Sequence, residues 1–348
     1  MSLRWEDWPT GIGQRLGAGC VIPAHPLALD AERKLDPRRQ RALSRYYLDA
    51  GSGGLAVGVH TTQFAIRDVG LYEPVLRIAA EAAAEQAAAP ILVAGVVGRT
   101  EQAVREARIA RGLGYHAALL SLAAWKGASV DDLVAHCAAV AAEIPLFGFY
   151  LQPAVGGLPL PASFWRRFAA IPNAVAIKIA PFNRYATLDV LRGVQEAGAA
   201  ERIALYTGND DHIVADLLTP FDLGGAKPLR IVGGLLGHWS VWTRAAVDLH
   251  RRCRAVGDGP IPADLLALDA QVTEMNAAVF DVAHAFHGVI AGCHEILRRQ
   301  GLLEGIWCLD PHESLSPGQA ALLTAVAARY PHLTDDTFVR DNLARWLS

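Results

Sequence analysis

Short apolar runs of four to eight residues recur along the first two-thirds of the chain. Longer stretches with apolar positions at helical spacing separate them. The runs at 18–23, 54–58, 90–96, 116–122, 145–152, 174–180, 203–208 and 229–234 read as strands, most of them bounded by Gly, Pro, Asn or Asp. Their near-continuous hydrophobicity suits parallel strands covered on both faces. Helices are expected between them, including 37–50, 101–112 and 130–142. Asp36 followed by Pro37 is a start signal, Gly51 a stop, and Ser129 stands three residues before Asp132 as in a capping box. A further helix is expected at about 212–219, capped by Asp210 or Asp211. Eight such alternations predict an α/β fold, a (β/α)8 TIM barrel over residues 1–256. A doubly wound sheet needs a glycine fingerprint after its first strand, and Gly11-Ile12-Gly13 and Gly17-Ala18-Gly19 come too early. Past residue 257 the alternation stops. Residues 262–301 and 315–330 then read as helices of a C-terminal extension spanning 257–348.

The bulk numbers fit this architecture and exclude several classes. The 348 residues, 52% hydrophobic, suffice for a barrel of about 250 residues plus an extension. Net charge is −3 without a basic stripe, so neither nucleic acid nor an anionic membrane surface is an expected partner. No run of about 20 apolar residues is present to span a bilayer. The first residues, MSLRWEDWPTG, lack a charged-then-apolar leader, and the five cysteines form no CxxC. A cytoplasmic protein with reduced thiols is expected.

Three segments carry candidate chemistry. In Ala174-Val175-Ala176-Ile177-Lys178-Ile179-Ala180, strand alternation turns Val175, Ile177 and Ile179 toward the helices and Ala176, Lys178 and Ala180 inward. An amine buried among small residues loses basicity and becomes nucleophilic, although a lysine at a solvated strand end fits the spacing equally well. Tyr150 lies near the C-terminal end of its strand, where barrel enzymes keep their catalytic groups. It reads either as a proton carrier or as a core aromatic bonded to the backbone. Thr61 and Thr62, after the second strand, form either a carboxylate cradle or ordinary turn caps.

Together these segments resemble the dihydrodipicolinate synthase and N-acetylneuraminate lyase family of class I pyruvate aldolases, over about residues 17–240. The family's imine-forming lysine lies in a strand like AVAIKIA, 28 residues after its catalytic tyrosine, and here 178 − 150 = 28. Thr61-Thr62 stand where the family holds the substrate carboxylate. Tyr150-Leu151-Gln152-Pro153 meets its aromatic-x-x-Pro motif, and Gly208-Asn209-Asp210 its Gly-x-Asp turn. The resemblance implies catalytic Lys178, Tyr150 and Thr62, with Thr61, Thr62 and Gly208 binding pyruvate or another 2-keto acid. Tyr150, polarised by Thr62, would move the protons of imine formation. It also implies a lyase without cofactor or metal, assembled as a homo-oligomer, dimer or tetramer.

The departures concern the second substrate. His60-Thr61-Thr62-Gln63-Phe64 replaces Gly-Thr-Thr-Gly-Glu, Leu122-Ala123-Ala124-Trp125 replaces a tyrosine pair, and Pro153-Ala154-Val155-Gly156-Gly157 carries no arginine. These changes argue against dihydrodipicolinate synthase itself and favour an apolar or bulkier aldehyde. His60 and Arg184 are candidate binders of polar groups, each equally well a capped turn residue or a salt-bridge partner. His238 is a further pocket candidate, and Trp239 and Trp242 read as core or interface anchors. A dehydratase or hydratase-aldolase using the same imine, a metal enzyme using histidines such as His284 and His287 on one helix face, and a non-catalytic keto-acid-binding barrel are the competing functions.

Overall fold

The computed structural model describes residues 2–348. Eight parallel strands, β1 (Val21–Pro23), β2 (Gly54–Val57), β3 (Ile91–Val96), β4 (Ala117–Leu120), β5 (Leu146–Leu151), β6 (Ala174–Ala180), β7 (Ala204–Thr207) and β8 (Ile231–Leu236), pair in sequential order. β1 pairs with β8, and a bridge between Ala24 and Ala56 closes the circle. The chain is a (β/α)8 barrel, as its hydrophobic pattern predicts.

Helices α1 (Ile12–Ala18), α2 (Pro37–Asp49), α3 (Tyr72–Ala84), α4 (Thr100–Gly112), α5 (Val130–Ala141), α6 (Ala162–Ala169), α7 (Arg184–Glu196), α8 (Ile213–Leu218) and α9 (Thr243–Val256) belong to the barrel. The local signals work as expected in two of them. Asp36 accepts from the Arg39 N–H at 3.0 Å, and Ser129 and Asp132 exchange backbone-to-side-chain bonds at both ends of a capping box. At α8 they do not. Asp269 of a later helix accepts from the Ala215 N–H at 3.0 Å, so Asp210 and Asp211 are not the caps.

β1 starts three residues later than expected because α1 occupies 12–18 and inserts Ile12 and Leu16 into the bottom of the barrel interior. Gly19 makes the turn between them at φ +87°. A Cβ there would stand 1.9 Å from the Val232 carbonyl oxygen, so no other residue fits.

Four helices follow: α10 (Ala263–Val279), α11 (Val289–Arg299), α12 (Gln319–Arg329) and α13 (Asp336–Trp346). The expected helix over 262–301 is broken at 280–288. Asp281, Ala285 and Phe286 there adopt left-handed backbone, at φ between 52° and 68°, conformations that side chains disfavour. Asp281 stabilises the break by accepting from the Gly288 N–H at 3.0 Å, from the Ser316 hydroxyl, and by pairing with His284 Nδ1 at 2.6 Å. His284 and His287 therefore do not share a helix face. α13 returns to α2, where Trp346 Nε1 donates to Asp49 at 2.6 Å and its ring packs 5.3 Å from Tyr46. The extension is thus fastened to the barrel's first helices.

Candidate active site

Inside the barrel the alternation of β6 is largely as read. Ala176 and Ala180 face the interior, Ile177 and Ile179 the helices. Val175 departs and also faces inward. The cause is an irregularity in pairing: Leu146 is opposite Ala174, an offset of 28, but Phe147 is opposite Ala176, an offset of 29. One extra residue on β6 shifts the phase of every later pair.

Lys178 consequently lies opposite Phe149 and not Tyr150. It is 9% exposed, and its Nζ sits 4.6 Å from the centroid of the Phe149 ring. Burial holds its pKa below the ordinary lysine value, partly opposed by the negative charge of Asp210. Gly208, from the turn after β7, leaves the space the lysine stem occupies. A Cβ at Gly208 would meet Lys178 Cε and Ala180 Cβ at 2.7 Å. The amine opens into a cavity of about 70 Å³ at the C-terminal ends of the strands, which also receives His60 and Thr61. That volume suits a small acid. His60 stays neutral there, pushed down to about 4 by burial and by the lysine's charge. Wider grooves exist on the outside, one of them around Trp5, Trp8 and Arg202 where the strands begin, but the buried amine is at this end.

Three expected site residues are elsewhere. Tyr150 is outward-facing; its hydroxyl accepts from the Leu160 N–H at 3.1 Å and its ring packs 5.4 Å from Trp165 in the helix layer. The strand end, the 28-residue spacing and the aromatic-x-x-Pro motif all point to Tyr150, but the pairing offset of 29 puts Phe149 opposite Lys178 in its place. Thr62 is fully buried. Its hydroxyl donates to the His25 carbonyl at 2.6 Å and accepts from the Gly58 and Val59 N–H groups, so it cannot polarise Tyr150. Its own N–H donates to Val59 O. Thr61 donates its hydroxyl to Ala24 O at 2.7 Å while lining the cavity. Arg184 pairs with Asp216, a fully buried carboxylate that also accepts from Thr207 at 2.6 Å and Asn209 at 3.0 Å. That cluster fixes the turn carrying Gly208. Arg184 has no side chain in the cavity.

The apolar lining of the cavity carries no signal in the sequence. Phe149, Leu151 and Phe182 line the apolar wall, and Phe280, Phe286 and Val289 of the extension form a roof. Phe182 and Phe286 meet edge to face at 6.0 Å, each at positive φ. Asp210 also lines the cavity, its Oδ1 shielded from solvent and without a hydrogen-bond partner. Burial raises its pKa, and the charge of Lys178 pulls it back. A signal existed: Tyr206 faces inward, and the period of two passes through Gly208 to Asp210. His238, the further pocket candidate, does not line the cavity; it is buried beside Asn276, with its Nδ1 unpartnered.

Comparison with known proteins agrees with this arrangement at the level of fold and family. The chain is 25% identical over 249 residues to 4-hydroxy-tetrahydrodipicolinate synthase of Nitratidesulfovibrio vulgaris, covering 71% of this chain and 78% of the relative. Its structure matches that of dihydrodipicolinate synthase from Acinetobacter baumannii complexed with pyruvate at a TM-score of 0.74 and 18% identity, over 89% of this chain and 98% of the other. N-acetylneuraminate lyase from Fusobacterium nucleatum matches at 0.71 and 14% identity, over 90% and 99%. A sequence model of the Dihydrodipicolinate synthetase family matches residues 18–225, and the chain belongs to that family.

Proposed function

We propose that the protein is a class I aldolase or lyase whose Lys178 forms a Schiff base with pyruvate or a related 2-keto acid. The observation that carries this reading is the lysine itself: a buried amine of lowered basicity, opening into a small cavity above an aromatic face. A neutral amine attacks the keto carbon, and loss of water gives a protonated imine. That imine withdraws electrons from the adjacent carbon–carbon bond, which is what cleavage or condensation requires. The turn at Thr61 supplies the carboxylate end of the cavity, with its backbone N–H as the proposed anchor and Gly208 keeping the approach to the amine clear.

The second fragment is proposed to be an aldehyde of apolar or aromatic character. Leu151, Val155, Phe182 and Phe286 surround the space beyond the amine, and Arg184, the one arginine expected there, is held by Asp216. In this reading the protein assembles as a homo-oligomer, dimer or tetramer, which light scattering on a sizing column checks. Borohydride reduction across a panel of 2-keto acids tests the chemistry. A stable adduct on Lys178 with pyruvate or a near homologue is the expected result. Binding without any adduct supports the non-catalytic barrel instead, and an adduct with water elimination but no carbon–carbon cleavage supports the dehydratase.

A further inference from the structure

The imine chemistry just proposed needs a proton carrier, and the residue that the family resemblance supplies for it is misplaced. Tyr150 points into the helix layer, and the Thr62 hydroxyl proton is committed to the His25 carbonyl. We propose that Asp210 is the acid–base residue of this site, carrying the protons of imine and enamine formation in place of Tyr150. The assignment rests on the Lys178 imine reading.

Geometry supports it in three ways. First, Asp210 is in phase with the inward positions Tyr206 and Gly208, and Gly208 has no side chain to separate the carboxylate from the lysine stem. Second, Asp210 lines the cavity and its Oδ1 has no partner in the protein, so the carboxyl proton is not committed to another residue. Third, the position is braced from outside the barrel. Asn276 Nδ2 of α10 donates to the Asp210 carbonyl at 2.6 Å, Thr273 to the Asp211 carbonyl at 3.0 Å, and the His238 backbone N–H faces the carboxylate. The charged or titratable groups acting on it are Lys178 across the cavity and Asp211 next in the chain, while Asp210 in turn acts on Cys293 of α11. Burial opposes the charge on either group, raising the Asp210 carboxyl and lowering the Lys178 amine, which favours the neutral acid and neutral amine that the first step needs.

The proton balance closes without another reagent. The amine adds to the keto carbon, forming the C–N bond, and the carbonyl electron pair moves to oxygen, which takes up the amine's proton. Asp210 in its acid form gives its proton to that hydroxyl, which leaves as water when the C=N bond forms. The resulting carboxylate then removes a proton from the carbon beside the imine, giving the neutral enamine and restoring the acid.

Deuterium exchange into the methyl group of pyruvate in D2O reads that last step with no second substrate. It is followed by NMR for the full-length wild type, Asp210→Asn and Tyr150→Phe, with 2-oxobutanoate as a second probe and borohydride trapping run in parallel. Asp210→Asn keeps the shape but cannot take the proton, and exchange is expected to fall at least 100-fold, within the usual range for losing a general base. Tyr150→Phe is expected to stay within about threefold of wild type, because an outward phenol has no part in a step catalysed at this magnitude by inward groups. Wild-type exchange in Asp210→Asn, with the Lys178 adduct still formed, overturns this assignment alone. Exchange lost in Tyr150→Phe, with thermal unfolding showing a folded protein, overturns it too and returns the role to the phenol. No adduct in the wild type removes the imine reading and this assignment together.

Discussion

At the scale of single residues, the site depends on strand phase, and phase is where the sequence is both most and least informative. Lys178 could be placed inward from its small neighbours Ala176 and Ala180, and the structure has it there. Tyr150 could not be placed the same way, because the offset between β5 and β6 changes from 28 to 29 at a pairing irregularity that no residue type announces. The chain spacing from Tyr150 to Lys178 is still 28 while the pairing offset has become 29, and a one-residue slip in register reverses side-chain direction. Gly208 is a site residue of a different kind, defined by the atom it lacks. Gly208→Ala puts a methyl within 2.7 Å of Lys178 Cε and Ala180 Cβ, and the alanine cannot move away. The variant is expected to lose about 1–3 kcal/mol of stability in denaturant titration. Its trapping rate with pyruvate is expected to drop at least tenfold, whereas unchanged trapping would show that the lysine stem has room to spare.

At the scale of elements, the roof is the part the sequence concealed. The run 262–301 is apolar and helical in composition, and neither proline nor a glycine pair marks its break. The break depends instead on Asp281, 2% exposed, which binds partners on both sides of the turn and on the segment before α12. The loop so held carries Phe286 into the lining of the cavity that receives the amine. Asp281→Ala removes three interactions of a buried carboxylate and is expected to cost about 2–4 kcal/mol. Amide hydrogen exchange is expected to accelerate over 280–288 while the barrel strands keep their protection. Uniform acceleration across the barrel would show that the roof is not an independent unit. Caps, by contrast, were legible where a residue serves its own helix, as Asp36 and Ser129 do. They were not at α8, whose donor is satisfied by Asp269, more than fifty residues away.

At the scale of the whole molecule, eight hydrophobic runs were enough to give the barrel, because parallel strands buried on both faces leave little freedom in pattern or topology. Trp239 and Trp242, which the sequence leaves open as core or interface residues, are both core, at 0% and 3% exposure. Among the described residues no helix is long and apolar enough to cross a membrane. The interior also sets the response to acid. His25, His60, His116, His136, His238 and His294 are each pushed down to about 4, in every case first by burial. The unfolded chain protonates them near pH 6.5, the folded chain only near 4. Between those limits the unfolded state binds more protons, so the stability they contribute is full above about pH 6.5 and is lost as pH falls toward 4. The melting temperature is expected to be level above pH 7 and to decline steadily from 6.5 to 4; a flat profile across that window would contradict the neutral, buried state of these rings.

The central claim is that Lys178 forms an imine, and site-resolved mass spectrometry after borohydride reduction with pyruvate tests it most directly. The account predicts a reduced pyruvyl adduct on the peptide containing Lys178 in the wild type, and none anywhere in a folded Lys178→Ala variant. An adduct that persists in Lys178→Ala, or that maps to another lysine in the wild type, would contradict it.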